Sequence, residues 1–99
     1  MSNYSTNYVN ASIDMDQNGN AGYYYFLINA SGNNVNVDLV QNPNDGLAYA
    51  FHRIDTSNNT VTLTAKSGSL INGSASVQLP GNKYVEVINF ATNWYAPGL

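Results

Sequence analysis

Between Tyr49 and Ala65 the chain reads YAFHRIDTSNNTVTLTA, and its side chains alternate at the period of two expected of a pleated strand. Tyr49, Phe51, Arg53 and Asp55 fall on one side, and Ala50, His52 and Ile54 on the other. Thr56 to Asn59 supplies four small polar residues that bond their own backbone, and Thr60 to Thr64 then resumes a strict Thr/Val/Thr/Leu/Thr alternation. The pattern predicts a hairpin with Val61 and Leu63 facing a core.

The same alternation runs through the rest of the chain. Tyr8 to Ile13 predicts a first strand, and the Asn18-Gly19 pair in DMDQNGN predicts a hairpin turn after it. Gly22 to Ala30 has apolar residues at successive positions, as in a strand covered on both faces. Val35, Val37 and Leu39 alternate with Asn34, Asn36 and Asp38 in a half-buried strand. Leu70-Ile71 is closed by Asn72-Gly73, Ser76 to Leu79 is stopped by Pro80-Gly81, and Tyr84 to Phe90 alternates once more. Trp94-Tyr95 forms a last aromatic strand. No stretch has apolar residues at helical spacing, and turn signals recur about every 8 to 12 residues. Together these predict an all-β fold, an antiparallel sandwich or jelly roll of seven or eight short strands forming one domain over residues 1–99. Its expected core is Phe51, Ile54, Val61, Leu63, Val85, Val87 and Trp94.

Composition narrows the function classes. Only 9% of residues are charged, while 17 are Asn, so polarity comes from neutral amides and hydroxyls. With Arg53, Lys66 and Lys83 the only cations and a net charge of −3, there is no basic stripe for nucleic acid or for an anionic membrane. The longest apolar run, Ala21 to Ile28, is far short of the roughly 20 residues of a membrane helix. The absence of cysteine removes disulfides and thiolate chemistry, so burial or association with other subunits must hold the fold.

Reactive constellations are sparse. His52 is the sole histidine, and Arg53 and Asp55 lie on the opposite strand face from it, which argues against a catalytic triad. Asp38, Asp45, Asp55 and Glu86 are the carboxylates a glycosidase would draw on, but nothing selects a pair. No enzymatic activity and no cofactor are expected. Asp14-x-Asp16-x-Asn18-Gly19 matches the first half of an EF-hand loop, making Asp14, Asp16 and Asn18 a weak calcium candidate. The twelfth position is Tyr25 rather than a bidentate glutamate, so a turn is the simpler account. Tyr23, Tyr24, Tyr25, Tyr84, Trp94 and Tyr95 would either stack on sugar rings or pack a core and a subunit interface.

The segments Phe51-His52-Arg53-Ile54-Asp55, Asn59-Thr60-Val61-Thr62-Leu63, Leu70-Ile71-Asn72-Gly73 and Thr92-Asn93-Trp94-Tyr95 together resemble a β-rich module of tailed-bacteriophage virion proteins. There the pattern is roughly F-K-R-I-D, a polar turn, N-T-V-T-I, I-D-G and T-N-W-Y. The resemblance covers Leu47 to Tyr95, about half the chain, and its motifs are structural. His52 stands where the pattern has Lys, and Asn72 where it has Asp. The resemblance implies a sandwich that trimerises on a virion surface, as a tail fibre or spike knob or as a capsid decoration (cement) protein. The chain starts at Met1 and reaches its first candidate strand by Tyr8, which favours a small cement subunit. Its expected partners are its own copies and the major capsid protein, assembled in the host cytoplasm. The alternatives are a receptor-binding knob that recognises surface glycan and a calcium-dependent sugar-binding module. Interface candidates are Tyr4, Tyr8, Tyr95, Pro97 and Leu99.

Overall fold

Alternation and turn chemistry produce nine short strands in the structure, a computed structural model that describes residues 5–99. They are β1 (Thr6–Val9), β2 (Ile13–Asp14), β3 (Tyr25–Ile28), β4 (Val35–Asp38), β5 (Ala48–Arg53), β6 (Val61–Thr64), β7 (Ser76–Gln78), β8 (Tyr84–Phe90) and β9 (Asn93–Tyr95). One short 3-10 turn, Asn20–Gly22, precedes β3, and no α-helix occurs among the described residues. The strands form a five-stranded sheet, β1-β3-β5-β8-β9, and a four-stranded sheet, β2-β4-β6-β7. The fold is all-β, with nine strands where seven or eight were expected. The expected first strand, Tyr8 to Ile13, is divided between the two sheets.

The sheets are mixed, not antiparallel. From β1 to β6 the chain crosses to the opposite sheet at every step, so β1, β3 and β5 pair in parallel in one sheet and β2, β4 and β6 in the other. Parallel neighbours need a long crossover, and here the crossover is a strand of the facing sheet. The chain therefore winds three coils around a shared interior. Only β7, β8 and β9 return antiparallel, β7 on β6 and β8 and β9 on the far side of β5.

This winding overturns two expected hairpins. Thr56 to Asn59 does not fold β6 back on β5 but carries it to the other sheet. Asn18 and Gly19 do take the left-handed backbone of an Asn-Gly turn, with φ of 54° and 72°. The turn does not pair its flanks, however. Met15, fully buried, is held to the four-stranded sheet by its N–H bond to Asp38 O (2.9 Å), and the chain then crosses to lay β3 beside β1. Asn72-Gly73 does close a tight turn as expected, with Ile71 and Ser74 bridged across it.

Inward faces from both sheets meet in one core. Phe26, Ile28, Phe51, Val85, Val87 and Trp94 come from the five-stranded sheet, and Val35, Val37, Val61 and Leu63 from the four-stranded one. Phe26 and Phe51 are direct cross-strand partners, with ring centroids 5.2 Å apart, and each such burial contributes about 1.5–3 kcal/mol. Six of the seven expected core residues are buried. Ile54 is the exception at 41% exposure, because period two puts it on the outer side with Ala50 and His52.

Candidate interaction surface

The two sheets are alike inside and unlike outside. The outer face of the four-stranded sheet carries Asn36, Asp38, Thr62, Thr64, Ser76 and Gln78, aligned by the register of β4, β6 and β7. Its side chains bond one another: Asn36 Nδ2 donates to Asp38 Oδ1 (2.8 Å) and Thr64 Oγ1 to Asn36 Oδ1 (2.7 Å). This is the polar surface expected of a sheet facing water.

The outer face of the five-stranded sheet is apolar. Its register aligns Tyr8, Leu27, His52 and Tyr84 in one row and Thr6, Tyr25, Ala50 and Glu86 in the next. Ala48, Ile88 and Tyr95 form a third, and Phe90 lies beside Asn93 beyond it. Tyr8, Tyr84, Ile88, Phe90 and Tyr95 are between 41% and 62% exposed, and they include most of the large exposed apolar side chains among the described residues. A concentration of that kind on one face makes it the candidate interaction surface of the molecule.

Aromatic contacts stiffen one end of this face. Tyr25 stacks on Tyr84 with centroids 6.1 Å apart, and His52 meets both rings edge-on. Tyr25 Oη and His52 Nδ1 share a hydrogen bond of 2.8 Å. Tyr24 Oη donates to Glu86 Oε2. That bond, together with burial, pushes the Tyr24 phenol well above its ordinary value and keeps it protonated. Of the six aromatics offered for sugar stacking, Trp94 is fully buried and out of reach of a ligand, and Tyr23 is partly buried against Phe26 and the core.

The motif residues behind the resemblance form a clamp. Arg53, only 4% exposed, points inward at the end of β5. Its Nε and Nη2 each donate to Asp55 at 3.1 Å, Nη1 donates to Leu79 O (3.0 Å), and Nη2 also reaches the carbonyls of Ser57 and Asn59. Asp55 further accepts from Ala30 N (2.8 Å), Ser57 N and Ser57 Oγ (2.7 Å). The guanidinium, outweighing burial, holds the Asp55 carboxyl far below the usual carboxylate range. The clamp ties the β3–β4 turn, the β5–β6 crossover and the end of β7 together. Asn72 does a similar job at the other end: Nδ2 donates to Ala96 O (2.8 Å) and Leu99 O (3.1 Å), and Oδ1 accepts from Ala96 N (2.9 Å).

The remaining candidates are dispersed. Lys66 Nζ bonds both Asp14 Oδ1 and Asp16 Oδ2 (2.7 Å), supplying the positive charge a calcium ion would bring to the same oxygens. Asn18 is exposed in its turn, and the described residues contain no group of three or more acidic, His or Cys side chains arranged to hold a metal. The four carboxylates do not converge: Asp38 lies on the polar outer face, Glu86 on the apolar one, Asp55 in the clamp, and Asp45 accepts from Ala91 N (2.8 Å). Of the interface candidates, Tyr8 and Tyr95 sit on the apolar face and Pro97 is exposed, while Leu99 packs against the molecule's own core. Tyr4 lies outside the described residues. Tyr84 was among the aromatics offered for sugar stacking or a subunit interface; Ile88 and Phe90 were not offered, although the alternation of β8 assigns all three to the face opposite Val85 and Val87.

The arrangement is that of an all-β protein of two mixed sheets in a sandwich-like body, with one solvated outer face and one apolar outer face. Neither the family models, nor the curated proteins, nor the solved structures contain a match to the chain.

Proposed function

We propose that the chain is a structural subunit of a tailed-bacteriophage virion: a capsid decoration protein that sits on the shell as a trimer against the major capsid protein. Its action is to add buried area between neighbours, with no bond made or broken. The observation that carries the reading is the contrast between the two outer faces, because a face dressed in Tyr84, Ile88, Phe90 and Tyr95 gains by being covered and the Asn/Thr face does not. The virion setting comes from the resemblance in the Arg53-Ile54-Asp55 and Asn93-Trp94-Tyr95 segments. A jelly-roll connectivity is not needed for this role, since the wound coils also yield a two-layered body. A protein that binds the assembled shell but not its free subunits stabilises it by mass action, about 2.7 kcal/mol per site at a hundredfold excess over Kd.

The test is co-sedimentation with purified expanded empty capsids, run beside adsorption to host cells. The chain is expected to pellet with capsids at a fixed ratio and to ignore cells. Adsorption to cells that is competed by glycan, with no capsid binding, would replace this reading by the receptor-binding knob.

A further inference from the structure

The apolar face does not by itself say what covers it, but its charge and size do. We infer that the outer face of the five-stranded sheet is the surface through which identical copies of this chain meet, leaving the polar face of the four-stranded sheet outward. The inference rests on the association reading above and names the partner of that surface.

Charge is the first argument. Around a symmetry axis a residue near the axis faces its own copy, so any ionised group there meets its like. The molecule carries a net charge of −3, which opposes association everywhere except through a face with few ions. The apolar face is such a place. Across its rows Tyr8-Leu27-His52-Tyr84, Thr6-Tyr25-Ala50-Glu86 and Ala48-Ile88-Tyr95, Glu86 is the one carboxylate, and it already accepts a hydrogen bond from Tyr24 Oη. Arg53 points the other way into the core, and Asp14 and Asp16 share the Lys66 ammonium away from this sheet. The opposite face, by contrast, carries Asp38 among the hydrogen-bonded side chains of Asn36 and Thr64, which two copies meeting there would have to strip of water.

Size is the second. Five strands spaced about 4.8 Å apart, and the run from Tyr84 to Phe90 rising about 3.4 Å per residue, give a face of roughly 20 by 20 Å. Two such faces, with their side-chain relief, remove on the order of 1,000 Å² from water, the lower bound of a specific interface. Its anchors are of the type that dominates such interfaces: Tyr84 is held by stacking on Tyr25, so little side-chain entropy is lost when it is covered.

Sedimentation or native mass measurement tests this on the full chain. The wild-type protein is expected as a closed oligomer at micromolar concentration. Ile88→Asp and Phe90→Asp should each weaken self-association by roughly 100-fold, while circular dichroism and melting temperature stay near wild type because both side chains are exposed. Gln78→Asp, on the polar face, should leave the mass unchanged. A wild-type chain that stays monomeric into the hundreds of micromolar, or an oligomer that survives both face substitutions, overturns the inference. Capsid co-sedimentation of the same samples separates the two proposals. A stable oligomer that ignores capsids removes the virion reading alone, and a monomer that decorates capsids removes this inference together with the trimer while leaving the capsid-binding role standing.

Discussion

Replacing Asp55 by Asn changes almost no volume but deletes the charge that a nearly buried guanidinium requires. Arg53 and Asp55 side chains are 5% and 8% exposed, and their paired bonds are supplemented by three protein donors to the carboxylate and three carbonyl acceptors for the guanidinium. Breaking one member of such a pair costs about 3–5 kcal/mol, because the other stays buried and uncompensated. A domain of this length is stable by about 5–15 kcal/mol, so the substitution removes a large share and lowers Tm by roughly 12–40 °C. Urea unfolding at neutral pH measures it directly. The folded Asp55 carboxyl titrates below its ordinary value of 3.8, so its contribution is complete above that pH and is lost only as the pH falls below it. Wild type should therefore lose stability below about pH 4 more steeply than Asp55→Asn, which lacks the group. A loss under about 1 kcal/mol at pH 7, with the same acid limb in both proteins, would show that the clamp is not what holds the turns together.

Three further outcomes are expected. A Cβ at Gly81 would meet Asp55 O at 3.1 Å and Thr56 Cα at 3.2 Å, both backbone atoms; Gly81→Ala should therefore cost about 1–3 kcal/mol in urea unfolding, and a neutral result would mean the loop yields freely. Asn72→Asp keeps the acceptor for Ala96 N but loses the donor to Ala96 O and Leu99 O, turning a carboxylate on two carbonyls. It should destabilise by about 1–3 kcal/mol and raise amide exchange at Ala96 to Leu99. Millimolar calcium should leave the wild-type Tm unchanged, and a calcium-dependent rise would show that Lys66 yields its place to the ion. The Lys66 bond, with a smaller contribution from Asp16 N, lowers Asp14. Burial pushes Lys66 down, but its two carboxylates outweigh it and raise it. The pair's contribution is therefore flat between about pH 4 and 10, lost below as Asp14 protonates and above as Lys66 deprotonates.

Side-chain alternation in single strands was enough to assign the all-β class and six of the seven expected core residues. It also placed Asn-Gly turns at 18–19 and 72–73, since αL backbone is a local requirement that Asn and Gly meet. Pairing was not legible, because period two says which face a residue takes and nothing about which strand lies beside it. A weak signal did exist: Tyr25-Phe26-Leu27-Ile28 and Ala50-Phe51-His52-Arg53 align in register, as do Val35-Asn36-Val37-Asp38 and Val61-Thr62-Leu63-Thr64. Such a spacing of about 25 residues is the mark of stacked coils. Its faintness comes from the first coil, where Val9 to Ile28 is a shorter step.

The apolar face shows the same division. Each of Tyr8, Tyr84, Ile88, Phe90 and Tyr95 could be placed on one side of its own strand from sequence, because alternation is a property of the backbone. That those sides coincide, and that the Arg53–Asp55 pair, local in sequence, also finds Leu79 O and Ala30 N, depended on how the coils stack. Contacts between residues far apart in sequence carry no local signature, and only the tertiary fold brings them together.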